Sequence, residues 1–115
     1  MNIDKSLRTG STGMLILKLL SIEDMYGYQI IEELERRSEN VFSLKAGTLY
    51  PLLHTLEQKE IIVSYEKTSD IGRSRKYYHL TEIGKTFFEE RKATWHTYMT
   101  SVNKVLGGYN HDPIT

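Results

Sequence analysis

The sequence predicts a small, mainly α protein in which three helices precede a β-hairpin and a long fourth helix follows it. Three observations carry that reading. Leu49, Leu52, Leu53 and Leu56 recur at i, i+3, i+4 and i+7, one apolar stripe of a helix. Ile61-Ile62-Val63-Ser64-Tyr65-Glu66 and Arg75-Lys76-Tyr77-Tyr78-His79-Leu80 are β-prone runs on either side of a polar loop, Thr68-Ser69-Asp70-Ile71-Gly72. Phe88, Arg91, Trp95, Tyr98, Val102 and Val105 then follow at spacings of 3, 4, 3, 4 and 3, a heptad rhythm.

At 115 residues the chain has room for one domain and not for two. Fifteen Lys+Arg balance fifteen Asp+Glu, and the pI is about 6.9. That excludes a uniformly basic nucleic-acid-coating protein and an acidic tail, so any contact with a polyanion needs a local patch. The absence of Cys removes disulfides, thiolate metal sites and Cys nucleophiles together. A mean hydropathy of -0.44 suits a soluble globular chain. The core of so small a domain is modest, and an oligomer interface would add to it. The polar start MNIDKSLRTGSTG lacks a secretory layout, and MLILKLLSI is too short to span a bilayer. The expected location is the cytoplasm.

The first helix is expected to be capped by Ser11 or Thr12, because Gly10 and Gly13 weaken any extension upstream. Met14, Leu15, Ile16, Leu17, Leu19, Leu20 and Ile22 make it apolar nearly all round, hence central and buried. A second helix is expected from Met25 to Arg37 with Asp24 as its cap and Ile30, Ile31 and Leu34 inward. Glu32–Arg36 and Glu33–Arg37 are i,i+4 pairs on its wet side. The third helix runs from about Ala46 to Lys59. Pro51 argues for a start near Gly47 or Thr48, or for a distortion there. Thr81 caps the last helix, which ends at Gly107-Gly108; about 26 residues make it roughly 39 Å long, more than this domain needs for itself. This order is that of a winged helix-turn-helix with an appended helix.

The third helix has a polar back face. Gly47, Thr48, Tyr50, Pro51, His54, Thr55 and Gln58 lie away from the leucines, and Lys45 precedes them. Such a face suits a major-groove reading helix, with Lys45 near the positive end of the helix dipole; it also suits an ordinary solvated surface. Arg73, Arg75 and Lys76 flank the hairpin tip, with Lys67 across the loop, where cations can follow phosphates or remain simply solvated. Tyr65, Tyr77 and Tyr78 read as core-packing tyrosines with their hydroxyls in water. Tyr26 and Tyr28 bracket Gly27 and are expected to pack beneath the reading helix. In the last helix the heptad seam Phe88, Arg91, Trp95, Tyr98, Val102 and Val105 is expected to meet a second copy, while Ile83 and Phe87 pack on the body of the domain. His54, His79, His96 and His111 show no metal-ligand spacing, and there is no phosphate-binding glycine loop, so no cofactor and no enzyme activity are expected.

The stretches YGYQIIEEL, GTLYPLLHTLEQKEII and GRSRKYYHLTEIGK closely resemble the PadR family of bacterial transcriptional regulators, over about residues 14–106. The length resembles the short subgroup, with one C-terminal helix. One position departs: Glu60 stands where the family usually has Gly between the third helix and the strand. The resemblance implies a homodimeric repressor that binds double-stranded DNA with an inverted repeat. It implies contacts from Lys45, Gly47, Thr48, Tyr50, His54, Arg73, Arg75 and Lys76. Trp95 resembles the drug-stacking residue of multidrug-responsive members, so Trp95, Tyr98, Met99 and Val102 are candidates for holding a planar aromatic ligand, against the simpler reading of a filled interface. The expected organisation is a DNA-binding unit over residues 1–80, a dimerisation helix over 81–108 and a flexible tail over 109–115. A winged-helix module that binds protein instead of DNA is the alternative that the zero net charge leaves open.

Overall fold

The computed structural model describes the backbone of residues 5–107 and side chains from Ser11 onward. The expected tail over 109–115 lies outside the described residues. The elements are α1 (Lys5–Ile22), β1 (Met25–Tyr26), α2 (Gly27–Arg37), α3 (Ala46–Gln58), β2 (Ile62–Thr68), β3 (Ser74–Leu80) and α4 (Glu82–Leu106). The strands form one antiparallel sheet in the order β1-β3-β2. One core joins Ile16, Leu17, Leu19 and Leu20 of α1 to Ile30 and Leu34 of α2, Leu49, Leu53 and Leu56 of α3, and Tyr78 and Leu80 of the sheet.

Two boundaries correct the expectation. α1 begins at Lys5, so neither Ser11 nor Thr12 caps it; Ser11 is buried at 7 % exposure inside the helix. The burial of Ile16, Leu17, Leu19 and Leu20 outweighs the propensity cost of two glycines, about 1 kcal/mol each. Met25 and Tyr26 are a strand, paired with Tyr78 and Tyr77, and α2 starts at Gly27 with Tyr26 extended as its N-cap. Asp24 therefore caps nothing. On α2, Glu33 takes both Arg36 (2.8 Å) and Arg37 (3.0 Å), which draws Arg36 away from Glu32. The hydrogen bonds from these two guanidinium groups hold the Glu33 carboxyl down at about 2.

The turn from α3 into β2 follows the departure at Glu60. Its φ is 61°, a left-handed residue with a Cβ, in the place glycine would favour. Ile61 N–H closes the turn on the Leu56 carbonyl at 3.0 Å. Thr81 Oγ1 shares its proton between the carbonyls of Glu60 (2.7 Å) and Ile61 (3.0 Å) while accepting from Gly84 N–H as the α4 cap. A left-handed non-glycine costs roughly 1–2 kcal/mol, and glycine's extra unfolded entropy returns about 0.5–1 of that. Glu60→Gly is thus expected to stabilise the domain by about 0.5–1 kcal/mol, read as a raised melting temperature; a lowered one would show that the Glu60 side chain itself holds the turn.

Gly84 sets the rotation of α4. A Cβ there would overlap the Ile61 carbonyl oxygen and lie 2.7 Å from Leu80 Cδ1. This close approach turns Phe88, one turn on, into the core at 4 % exposure and leaves Ile83 outside at 59 %. Phe87 packs against the core from the side. Two assignments are corrected by this: Phe88 leaves the expected seam, and Ile83 does not pack on the body.

Candidate nucleic-acid interface

α3 carries two faces with opposite characters. Leu49, Leu53 and Leu56 are buried, whereas Gly47, Thr48, Tyr50, Pro51, His54 and Gln58 are exposed, as is Lys45 at the N-cap. Lys45 is extended, and its carbonyl accepts from Thr48 N–H (3.0 Å) and Leu49 N–H (2.9 Å). The helix starts at Ala46 and runs through Pro51 without a break. Proline has no N–H, so the Gly47 carbonyl loses its intrahelical donor on the exposed face. Thr55 Oγ1 donates to the Pro51 carbonyl at 3.1 Å, which commits that hydroxyl's proton to the helix itself.

The β2–β3 hairpin is a closed wing. Its tip is fastened by Ser69 N–H to the Arg73 carbonyl (2.8 Å), Gly72 N–H to the Ser69 carbonyl (2.9 Å) and Arg73 N–H to Ser69 Oγ (3.2 Å). Gly72 supplies the φ of 83° that this turn requires. Arg73 and Lys76 are exposed. Arg75 is half-buried, with its guanidinium 4.3 Å from the centroid of the Tyr26 ring. That cation–π contact fixes the direction of the Arg75 side chain. It also gives Tyr26 a role that sequence reasoning missed.

The wing and α3 meet in a cleft of about 350 Å³. Tyr50 of α3, the Tyr26-Gly27-Tyr28 start of α2 with Glu32, and Arg73, Arg75 and Lys76 of the wing line it. The structure thus brings Tyr50 together with Arg73, Arg75 and Lys76, but not with Lys67. Lys45 and Thr48 lie elsewhere, on the rim of a second, larger groove of about 740 Å³ between α1, α3 and α4. His54 borders neither.

The outer face of the sheet holds an aromatic ladder. Tyr26 meets Tyr77 edge-on at 5.4 Å, and Tyr77 stacks on Tyr65 at 5.8 Å. Only Tyr78 packs into the core; Tyr77 and Tyr65 are cross-strand partners on the other side, because adjacent residues of a strand alternate faces. Nor is the Tyr65 hydroxyl left to water. It donates to Asp24 Oδ2 at 2.6 Å, and His79 Nδ1 donates to Asp24 Oδ1 at 2.8 Å. That hydrogen bond to a carboxylate pushes the Tyr65 phenol up to about 12. Burial raises the Asp24 carboxyl, but the bonds from Tyr65 and His79, with the charges of His79 and Lys67, together hold it below its ordinary 3.8. Asp24 thereby ties the end of α1 to both long strands of the wing.

The sign of the Asp24 effect follows from its lowered pKa. Its contribution to stability is full above pH 3.8 and is lost as pH falls through the lower folded value. Asp24→Asn is therefore expected to melt below wild type at neutral pH, with the gap closing in acid. A gap that stayed constant down to pH 2 would mean that the carboxylate is not the wing's anchor.

Along α4, Trp95, Met99 and Val102 are half-buried, while Arg91, Tyr98 and Val105 are exposed, Val105 at 86 %. Trp95 and Tyr98 lie 5.9 Å apart with their rings tilted by 41°. Arg91 sits over the Phe87 ring at 5.5 Å. Among the described residues, no helix is long and apolar enough to cross a membrane.

Comparison with known proteins agrees with this architecture. The model of the transcriptional regulator PadR-like family matches residues 16–90. A transcriptional regulator of Mycobacterium tuberculosis is 33 % identical over 97 residues, covering 84 % of this chain and 83 % of the relative. The crystal structure of a PadR-like transcriptional regulator from Bacillus cereus superposes with a TM-score of 0.80 at 33 % identity, covering 90 % of this chain and 99 % of that one. A PadR family transcription regulator from Clostridium difficile gives 0.73 at 38 % identity, over 84 % and 99 % of the two chains. Members of this family are transcriptional regulators and not enzymes. With well over half of its length matched and the winged-helix fold in common, the chain belongs to the PadR-like family of transcriptional regulators.

Proposed function

We propose that the protein is a cytoplasmic, homodimeric repressor that binds double-stranded DNA carrying an inverted repeat and is released by a planar aromatic ligand. The observation that carries the DNA part is the cleft where Tyr50 of the reading helix meets Arg73, Arg75 and Lys76. One surface then offers a polar helix face for a major groove and cations for the flanking phosphates. Lys45, Gly47, Thr48 and His54 face the bases and the adjoining backbone from α3, within a DNA-binding unit over residues 1–80. On this reading net charge zero is no obstacle, because the cations are concentrated on the wing.

The dimer rests on the distal half of α4. Arg91, Tyr98 and Val105 present an exposed stripe with Trp95 and Val102 beside it, and a second copy of the same helix is its simplest partner. A two-fold axis near Trp95 would bring two indoles together, with Tyr98, Met99 and Val102 walling a flat slot suited to a planar, cationic ligand. The test is anisotropy with a duplex from the protein's own promoter region at low and raised salt. Calorimetry with planar cationic dyes and phenolic acids on wild type and Trp95→Ala tests the slot. Equal binding of the panel to both proteins, or binding to neither, removes the ligand and leaves the DNA reading standing. No salt-sensitive duplex binding at all would favour a protein-binding winged helix.

A further inference from the structure

Gly27 opens α2, is buried, and has an ordinary right-handed backbone. Nothing in its own conformation calls for glycine, which costs up to about 1 kcal/mol in a helix. The reason lies across the domain. A Cβ on Gly27 would overlap the Tyr50 hydroxyl and stand 2.6 Å from Cζ and 3.0 Å from Cε1 of that ring. The outer end of the Tyr50 side chain is therefore seated on the start of α2. Tyr50 leans back from α3 instead of projecting forward from it as Thr48 and His54 are free to do.

We propose that Gly27 is a positioning residue that seats Tyr50 as a contact to a DNA backbone phosphate, so that Tyr50 strengthens binding to any duplex and does not choose bases. This rests on the DNA-binding reading above. The seated hydroxyl opens into the cleft that Arg73, Arg75 and Lys76 line. A neutral O–H donor among three cations matches an anionic oxygen, and phosphate is the anion a duplex presents there. Arg75 is also fixed from behind, by the Tyr26 ring at 4.3 Å, so donors on both sides of the cleft are oriented before DNA arrives. Glu32 stands on the same wall and confines the anion to the wing side of it. A ring end held against α2 cannot at the same time reach the floor of a major groove.

The experiment measures affinities of the full chain for a promoter duplex and for a scrambled duplex. Tyr50→Phe removes only the hydroxyl and is expected to weaken both by the same factor, roughly 10-fold. Gly27→Ala is expected to weaken both at least as much. In a Tyr50→Ala background the added Gly27→Ala is expected to be silent, because the ring it would displace is gone. Circular dichroism checks that each variant is folded, and the double variant reports the coupling even if Gly27→Ala alone folds poorly. A changed ratio of promoter to scrambled affinity in Tyr50→Phe would overturn the phosphate assignment, as would unchanged affinities. Additive losses would overturn the role of Gly27. Wild type that binds no duplex would overturn the DNA reading itself, an outcome distinct from all of these.

Discussion

Replacing Arg73, Arg75 and Lys76 together with alanine is expected to lower affinity for every duplex by roughly 100-fold or more and to flatten the salt dependence. Each cation that neutralises a phosphate contributes about 0.9 to the slope of log affinity against log salt. Three per protomer, counted over two protomers, would remove a slope of roughly 5. The three single variants should not be equal. Arg73 and Lys76 are exposed, with Lys76 Nζ only loosely over the Tyr78 ring at 5.8 Å, and each must give up side-chain freedom to hold a phosphate. Arg75 is already held over the Tyr26 ring, so less freedom is lost when it binds. Arg75→Ala is therefore expected to cost the most, and Arg75→Lys to recover little, because the planar stack on Tyr26 is lost. Substitution of Thr48 or His54 is expected to act differently, changing base preference while leaving the salt slope in place. A triple variant with unaltered affinity and slope would take the wing out of the interface.

The wing illustrates which parts of such a site can be read from sequence. Its cations, its glycine turn and the Thr81 cap are local signals, each contained within a few residues. So is the leucine stripe of α3, which places the polar face opposite it. What stayed hidden depends on partners far along the chain. Asp24 reads as a helix cap from its neighbours, yet its partners are Tyr65 and His79, and the two-residue strand beside it is too short to show a period. Gly27 stands out between two tyrosines, but only the fold shows that Tyr50 is what occupies its missing side chain. In α4 the heptad spacing is genuine, but periodicity alone does not say which residues of a long helix belong to its own domain. The contact of Gly84 with the Ile61 carbonyl decides that, turning Phe88 inward and leaving only the later heptad positions half-buried or exposed. Gly10 and Gly13 show the converse case. They are correct local signals of a weak helix, overridden by the burial of Ile16, Leu17, Leu19 and Leu20.

The second large effect is expected from the far end of α4. The helix has 25 residues, about 38 Å, and its buried anchor on the domain, Gly84 and Phe88, lies in its first two turns. Beyond Trp95 the chain leaves Tyr98 at 58 %, Val105 at 86 % and Leu106 at 74 % exposure. Trp95, Met99 and Val102 beside them are only half-buried, so on the proposed dimer this stripe is what the second copy would cover. Deleting residues 96–115 is expected to give a protein that is folded by circular dichroism and monomeric by sedimentation, because the core ends at Phe88. Specific DNA binding should then collapse. Two linked heads bind the second half-site as an intramolecular event, at an effective concentration in the millimolar range, and a single head has no such gain. The expected loss is roughly 100-fold or more for an inverted repeat and much smaller for an isolated half-site. Tyr98→Glu with Val105→Glu in the full chain should reproduce it, since two buried like charges would face their copies across the axis. A truncated protein that still sediments as a dimer would move the interface to the groove between α1, α3 and α4, and the seam beyond Trp95 would need another partner.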